Sequence, residues 1–326
     1  MNRRGAIRAL LALTGAAALS NGWAQTGKIA RVGFLGTESA LQYAANVDAL
    51  RLGLRELGYV EGKNIQIEYR WAEGKNDRLA GLAAELVRLK VDVIVTHGTP
   101  GTLAAKQATT TIPIVMASSG DAVGTGIVSS LSQPNANVTG MTLLLPELSA
   151  KRVQLLKEVL PRMTRLGSLF NPINPAYKTD IAKTDEVGKS MKVQIERFGA
   201  ASPKDFESAF AAMRKARMDA VLVHQDGMLN ANPKAIAALA REHGLASAGF
   251  EEYGEVGGLI GYGVNFPQMY RRAAVFVDKL LKGARVRDLP VEQPLAFNLV
   301  LNAKTARALG VKIPASVLQR ADRVIE

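Results

Sequence analysis

Residues 91–128 read VDVIVTHGTPGTLAAKQATTTIPIVMASSGDAVGTGIV, and this stretch decides the fold class. Two runs rich in β-branched residues, at 91–96 and 112–117, are each followed by a loop of small and polar residues, and a short helix is predicted between them at 99–108. Apolar strands that alternate with helices indicate a parallel sheet covered on both faces. Ligands of such sheets bind at the carboxyl ends of the strands, so the two loops are predicted to border a pocket.

The second half of the chain repeats this pattern. Three strand-like segments recur in the same order, at offsets of 134, 128 and 127 positions. They are RVGFLGT at 31–37 with RLGSLFN at 165–171, IQIE at 65–68 with VQIE at 193–196, and VDVIVTH at 91–97 with MDAVLVH at 218–224. The ordered set predicts two similar lobes, each of the form β-α-β-α-β-α-β with right-handed crossovers.

We therefore predict an α/β fold with two doubly wound parallel-sheet lobes joined by a multi-strand hinge. The length of 326 residues is typical of two such lobes. The N-terminal lobe is expected at 28–141, with a helix at 268–282 returning to it. The C-terminal lobe is expected at 146–263, together with the last segment at 296–326.

The first 24 residues have the layout of a secretory signal peptide. Three arginines precede an apolar run at 9–19, and small residues follow up to Ala24. The run is shorter than the roughly 20 residues of a membrane-spanning helix. We expect cleavage near Ala24 and a periplasmic mature protein, exported by either the general or the twin-arginine route.

The composition excludes several classes of site. The chain has no cysteine, which rules out disulfides, thiol catalysis and zinc–thiolate centres. The formal net charge of +12 is spread over the predicted helices and forms no stripe, so we expect no nucleic-acid partner. Because HExxH, GxSxG and Walker A sequences are absent, we expect no catalytic residues, no metal and no cofactor. We also expect a monomer.

Five segments carry a resemblance to a known family: GFLGT at 33–37, VDVIVTHGTPGTLAAK at 91–106, IPIVMASSGDAVGTGIVSSLSQPNANVTGMT at 112–142, RLGSLFNPINP at 165–175 and PLAFNLVLNAKTARALGVKIPASVLQRADRVIE at 294–326. They resemble ABC-transporter substrate-binding proteins of the tryptophan/tyrosine-uptake type, which have the type I periplasmic binding-protein fold. The resemblance implies capture of a small ligand between two hinged lobes and its delivery to an inner-membrane permease. It favours an amino acid or a related small carboxylate as the ligand.

Ligand contacts in the first lobe are predicted in the loops that follow its strands. Gly36 and Thr37 could present N–H and hydroxyl groups to a carboxylate, or form an ordinary turn that caps the next helix. Thr99 is predicted as the N-cap of the helix that starts near Pro100, which would direct its hydroxyl toward an anion.

The loop after the second strand adds Ser118, Ser119 and Asp121 to these candidates. Two hydroxyls beside a carboxylate are suited to holding both charged ends of a zwitterion. Asp121 could pair with an ammonium group, or it could cap the helix that follows it.

The second lobe contributes four candidates by the same argument. Asn171 and Asp226 directly follow strands that the repeat aligns with strands of the first lobe. Glu251 is either a ligand contact or an acid in the first turn of a helix, and Tyr253 could form an aromatic wall.

Two hypotheses follow from these observations. The first is a solute-binding protein that closes over its ligand by hinge motion. The alternative is an exported α/β enzyme of the hydrolase type that uses cleft carboxylates such as Asp121 and Asp226. The repeat, the signal peptide and the lack of a recognisable nucleophile–base motif favour the binding protein.

Overall fold

The computed structural model describes residues 29–134 and 136–326. The predicted signal peptide at 1–24 lies outside the described residues. The chain forms two lobes, each built on a sheet with an apolar cluster of buried side chains against either face. No helix in the described part of the chain is long and apolar enough to cross a membrane.

The N-terminal lobe contains a five-stranded parallel sheet in the order β2-β1-β3-β4-β5. Its strands are β1 Ala30–Gly36, β2 Ile65–Trp71, β3 Val93–His97, β4 Ile114–Gly120 and β5 Val138–Leu143. Three helices connect them: α1 Ala44–Glu56, α2 Leu79–Arg88 and α3 Gly98–Ala108. Strands β1, β3 and β4 lie in the middle of the sheet and are almost entirely buried, which explains their near-continuous apolar sequences.

The C-terminal lobe contains a seven-stranded sheet in the order β12-β11-β10-β9-β8-β6-β7, in which only the β10–β11 pairing is antiparallel. Its strands are β6 Arg165–Phe170, β7 Gln194–Gly199, β8 Ala220–Val223, β9 Ala246–Gly249, β10 Ile260–Gly263, β11 Asn298–Asn302 and β12 Arg323–Ile325. The helices that follow β5 are α4 Leu145–Val159, α5 Tyr177–Ser190, α6 Phe206–Lys215, α7 Gly227–Asn230, α8 Pro233–Glu242, α9 Glu251–Glu255, α10 Phe266–Leu281, α11 Ala303–Ala308 and α12 Ala315–Leu318.

The two sheets share one topology. The order β2-β1-β3-β4 in the first lobe corresponds to β7-β6-β8-β9 in the second, and the three repeated sequence segments lie on β1 and β6, β2 and β7, and β3 and β8. This confirms the predicted fold of two similar parallel-sheet lobes. A capping box is present at Ser202, with Asp205 as its second member.

The sequence placed Ser118 and Ser119 in a loop, and this was wrong. Both belong to β4, because its pairing with β3 and β5 continues to the end of the strand. The register shifts after Met116 in the pairing of β4 with both β3 and β5, which is the signature of a β-bulge and turns side chains at the strand end. Gly140 on β5 accommodates the bulge, because a Cβ atom at this position would lie 2.3 Å from the Met116 carbonyl oxygen.

Helix α10 follows β10 of the second lobe but packs in the first. It lies against α1, and Met269, Tyr270 and Phe276 join the same apolar cluster as the side chains of β1 and β3. The two helices approach closely at Gly53, where a Cβ atom would lie 2.7 Å from the Arg271 carbonyl oxygen. The chain then pairs with β5 at Glu292 before it enters β11, so it crosses between the lobes more than once.

Candidate ligand-binding cleft

The carboxyl ends of the two sheets face each other across a cleft that contains two cavities. The first, which we call the Thr99 cavity, has a volume of about 40 Å³. The N-terminal lobe lines it with Tyr43, His97, Thr99, Ser118 and Ser119, and the C-terminal lobe with Asn174, Gln225, Asp226 and Asn230. The second, the Glu38 cavity, has a volume of about 50 Å³ and includes Thr37, Glu38, Asn171 and Asp226. Gly98 and Gly227 border both cavities.

The Thr99 cavity is surrounded by polar atoms that are buried without a hydrogen-bond partner. Within residues 29–134 and 136–326, no partner is found for Thr99 Oγ1, Ser119 Oγ, Gln225 Nε2 or Asn230 Oδ1. Unpaired buried polar groups are rare in native proteins because each costs about 1–3 kcal/mol. Four of them at one cavity, contributed by both lobes, indicate that this cavity is built to hold a polar ligand.

Local backbone structure sets the position of these donors. The bulge in β4 brings Ser118 and Ser119 to the cavity together. Helix α3 begins at Gly98, so Thr99 lies in its first turn and is not the N-cap that the sequence predicted. The reason is that Gly98 adopts a positive φ of 69°, which lets the chain turn into the helix directly after His97. The positive end of the α3 dipole therefore faces the cleft.

The side chain of Gln225 is oriented by a hydrogen bond from a buried arginine. Arg152 on α4 is fully buried, and its Nη2 donates to Gln225 Oε1 at 2.8 Å while its Nε donates to the Tyr262 carbonyl at 2.8 Å. Because the oxygen of Gln225 accepts this bond, its amide nitrogen must point elsewhere. Burial lowers the pKa of Arg152 to about 10, so the side chain remains a cation at neutral pH.

Apolar and aromatic groups form the remaining wall of the Thr99 cavity. Tyr43 and His97 lie side by side with ring centroids 4.1 Å apart, and Leu143, Leu145 and Phe266 complete this wall. Burial lowers the pKa of His97 to about 3, so this ring is neutral. One ring nitrogen of His97, Nε2, accepts a hydrogen bond from the backbone N–H of Thr37, directly after β1, and this fixes the orientation of the ring.

The Glu38 cavity is acidic. Glu38 is 6% exposed, and its carboxyl group makes no hydrogen bond to any described residue. Burial raises its pKa to about 7, with further contributions from Asp226 in the opposite lobe and from Glu73. The sequence argument missed Glu38, although it follows the predicted contact Thr37 directly, because a charged residue in a turn gave no sign of being buried.

Asp226 serves as the organising group of the C-terminal side of the cleft. Its carboxylate accepts from Asn171 Nδ2 at 3.1 Å and Asn174 Nδ2 at 2.8 Å, and it caps α7 by accepting from the N–H groups of Met228 and Leu229. The structure thus brings the two best candidates of the second lobe, Asn171 and Asp226, into direct contact. The carboxyl group of Asp226 thus accepts four hydrogen bonds at the cleft.

The lobes touch each other around these cavities. A Cβ atom on Gly227 would lie 3.2 Å from Thr37 Oγ1 and 3.4 Å from Glu38 Oε1, both in the opposite lobe. At the side of the cleft, Gln42 Nε2 lies 3.5 Å from the carbonyl oxygen of Ala231, to which it donates. The structure therefore has the lobes close together, with little space between them.

Comparison with known proteins agrees with this architecture. A sequence model of the family described as ABC transporter substrate binding protein matches residues 34–325. The chain belongs to this family of ABC-transporter substrate-binding proteins.

Relatives of this substrate-binding protein include proteins with named ligands. A tyrosine-binding protein of Clostridioides difficile (strain R20291) is 26% identical over 261 residues, which is 79% of this chain and 74% of that protein. A crystal structure of an ABC domain in complex with L-Trp from Streptococcus pneumonia is 26% identical, with a TM-score of 0.84 over 91% of this chain and 99% of that one. A conserved domain protein from Vibrio cholerae O1 biovar eltor str. N16961 gives 28% identity and a TM-score of 0.86, covering 91% and 100% of the two chains.

Four of the predicted contacts of the substrate-binding protein lie outside both cavities. Gly36 ends β1, where Trp71 packs so closely that a Cβ atom would lie 2.1 Å from its ring. Asp121 accepts from the N–H group of Gly124 and so caps its own turn. Two further residues, Glu251 and Tyr253, are buried in the C-terminal lobe, where Glu251 accepts from Asn298 and Tyr253 packs in an apolar cluster.

Ser168, His224 and Asp180 form a hydrogen-bonded chain in the C-terminal lobe. Ser168 Oγ lies 2.7 Å from His224 Nε2, and His224 Nδ1 lies 2.6 Å from Asp180 Oδ2. This connectivity is that of a hydrolase triad, but all three side chains are at least 97% buried and none lines either cavity. A nucleophile needs access to its substrate. We therefore interpret these three side chains as a structural network that connects β6 and α5 to the residue directly after β8.

Acidic and histidine side chains do not gather elsewhere in a way that suggests a metal. Within residues 29–134 and 136–326, no group of three or more such side chains is arranged to hold an ion. The Thr99 cavity, by contrast, brings the unpaired hydroxyls of Thr99 and Ser119 together with the unpaired amide nitrogen of Gln225.

Proposed function

We propose that the protein is the exported solute-binding component of an ABC importer and that it captures an L-α-amino acid between its two lobes. The observation that carries this proposal is the convergence of Thr99, Ser119 and Gln225 on one cavity, each with a buried donor that lacks a partner in the described part of the chain. The ligand is then released to a permease in the inner membrane. Delivery by closure and reopening of the lobes is the mechanism we assign to it.

The carboxylate of the amino acid would occupy the Thr99 cavity. Two hydroxyls and a primary amide can donate to it, and the amino end of α3 adds a favourable dipole. Hydrogen bonds to a charged group contribute about 1.5–3 kcal/mol each, so three of them are sufficient to select a carboxylate.

The ammonium group would lie toward the Glu38 cavity. Glu38 and Asp226 supply negative charge there, and Asn230 Oδ1, an acceptor with no partner among the described residues, lies at the wall of the neighbouring Thr99 cavity. The side chain of the ligand would contact Tyr43 and Phe266, and aromatic walls of this kind suit an aromatic or branched amino acid. The L-Trp complex of the similar structure supports this assignment.

The size of the cleft supports a mechanism in which the lobes move. Ligand pockets usually measure about 300–1,000 Å³, whereas the two cavities measure about 40 and 50 Å³. An amino acid therefore enters only when the lobes separate.

The test is a binding panel measured by calorimetry and thermal shift on the purified mature protein. L-tryptophan, L-tyrosine, L-leucine and L-alanine are compared with tryptamine and indole-3-propionic acid, which each lack one of the two charged groups. We expect at least one amino acid of the panel to bind. Both single-charge analogues should bind at least about 30-fold more weakly than the amino acid that binds most tightly. Equal binding of the acid analogue and the amino acid would contradict the zwitterion assignment.

A further inference from the structure

Among the residues that the structure describes, Arg152 has the largest fully buried side chain, and it is buried as a cation. Nη1 has no hydrogen-bond partner within the described residues, and no carboxylate of that part of the chain lies within 4.0 Å of the guanidinium. Placing an unpaired charge in the interior is costly, so a purely structural role is better filled by an apolar residue of similar size. We therefore expect Arg152 to have a role other than stabilising the fold, one that offsets the free-energy cost of burying its charge.

The position of Arg152 indicates that role. Of its two hydrogen bonds, one goes to the backbone carbonyl of Tyr262 in β10, and the other goes to Gln225, which lines the Thr99 cavity. The bond to Oε1 determines which way the Gln225 amide faces and leaves its Nε2 as a buried donor. The hydrogen bond from the Arg152 cation to Gln225 Oε1 polarises the amide group of Gln225, and its N–H groups therefore donate more strongly.

We propose that Arg152 is a positioning residue for carboxylate recognition, acting on the ligand through Gln225 without touching it. This inference rests on the proposed amino-acid function and specifies how the carboxylate is distinguished from a neutral group. The positive charge behind Gln225 favours an anion at the Thr99 cavity over an amide or ester of the same shape. Asp180, Tyr262 and Glu252 are the acidic groups whose fields reach the guanidinium, and Glu252 is half-buried.

The experiment compares the dissociation constants of L-tryptophan and L-tryptophanamide for the wild-type protein and three variants. Arg152→Met removes the charge with little change of volume, and Arg152→Lys keeps it. Gln225→Glu can pair with Arg152 in the interior while it removes the amide donor. Arg165→Met is the matched control, since Arg165 is a half-exposed arginine of the same lobe paired with Glu196.

We expect the wild-type protein to prefer the acid by at least about 30-fold. Arg152→Met lowers this ratio by about tenfold or more, Arg152→Lys recovers most of it, and Arg165→Met leaves it unchanged. Gln225→Glu reverses the preference toward the amide, because a carboxylate then faces a carboxylate. This variant decides the matter if Arg152→Met fails to fold.

Two results would overturn the inference in different ways. If Arg152→Met and Gln225→Glu weaken acid and amide by the same factor, Arg152 is only structural, and the proposed function stands. If neither L-tryptophan nor any other amino acid of the panel binds to the wild-type protein, the proposed function is wrong and the inference fails with it.

Discussion

Glu38 and Asp226 border one cavity from opposite lobes, and each carries a carboxyl group toward it. Like charges brought together across a closing cleft repel each other, and partial burial strengthens the repulsion. A ligand ammonium group placed between them converts this repulsion into attraction. The pair would therefore oppose closure of the unliganded protein and favour closure around a cationic group, which gives a physical reason for ligand-dependent movement.

The first prediction concerns the pH dependence of stability. The pKa of Glu38 is raised to about 7 from its usual 4.5, so the folded protein holds a proton that the unfolded chain releases between these values. The stability from this group is fully present below pH 4.5 and is lost as the pH rises through 7. The free energy of unfolding of Glu38→Gln, measured with urea, should therefore depend less on pH than that of the wild-type protein. The difference should amount to about 1–3 kcal/mol between pH 4.5 and 7.

Glu252 is the matched control for that measurement. Burial raises its pKa to about 7 as well, so its contribution has the same sign, but it lies in the interior of the C-terminal lobe away from both cavities. Saturating ligand should abolish the contribution of Glu38 to the pH dependence of stability, because an ammonium group favours the ionised carboxylate. The contribution of Glu252 should remain unchanged. Identical profiles for wild type and Glu38→Gln would show that Glu38 does not titrate in this range.

The second prediction concerns the unpaired hydroxyls. Thr99→Val and Ser119→Ala should each weaken amino-acid binding about tenfold, since each removes one hydrogen bond to a charged group. Neither should lower the melting temperature of the ligand-free protein, because these hydroxyls have no partner to lose within the described residues. Thr305→Val is the control: its buried hydroxyl donates to the Gly257 carbonyl at 2.9 Å, so this change should cost about 1 kcal/mol of stability and no affinity.

The sequence was sufficient to predict the fold but only part of the cleft. Both parallel sheets could be predicted from the repeated segments and from the alternation of strands and helices. The apolar face of each strand and helix must be buried, and only a few layered arrangements of these elements achieve this. Of the residues predicted from their position at strand ends, the cleft is lined by Thr37, Thr99, Asn171 and Asp226. Whether they contact a ligand is what the binding experiments test.

The sequence could not show which strand-end residues are free to bind. Asp121 and Glu38 look alike as acids in loops, yet the first caps its own turn and the second is buried without a hydrogen bond to any described residue. Arg152 gave no signal, because an arginine in an amphipathic helix is normally exposed. These distinctions depend on contacts between segments that are far apart in the chain, and local patterns do not encode them.

The third prediction concerns the contact between α1 and α10. Gly53→Val should destabilise the protein by about 2–4 kcal/mol, because the new side chain would collide with the backbone of α10 at Arg271 and with Ala274. Chemical unfolding followed by circular dichroism measures the change. Gly81→Val is the control, since Gly81 lies within α2 and a Cβ atom there meets nothing within 4 Å; this variant should be as stable as wild type or slightly more so.

The fourth prediction tests closure directly at Gly227. This residue has no positive φ, so a larger side chain is allowed by its backbone, but a Cβ atom would meet Thr37, Glu38 and Tyr43 of the opposite lobe at 3.2 to 3.8 Å. Gly227→Ala and Gly227→Val should therefore act as wedges of increasing size. Because each lobe is left intact, we expect little change in melting temperature without ligand. Affinity should fall slightly for alanine and at least about tenfold for valine.

Small-angle scattering distinguishes a wedge from a simple loss of contacts at Gly227. The wild-type protein should become more compact when saturated with its amino acid, since closure brings the lobes together. Gly227→Val, saturated at higher concentration, should stay more extended than liganded wild type by a measurable increase in radius of gyration. A valine variant that compacts like wild type and binds with the same affinity would mean that the lobes do not need to approach at Gly227, and closure at this point of the cleft would have to be abandoned.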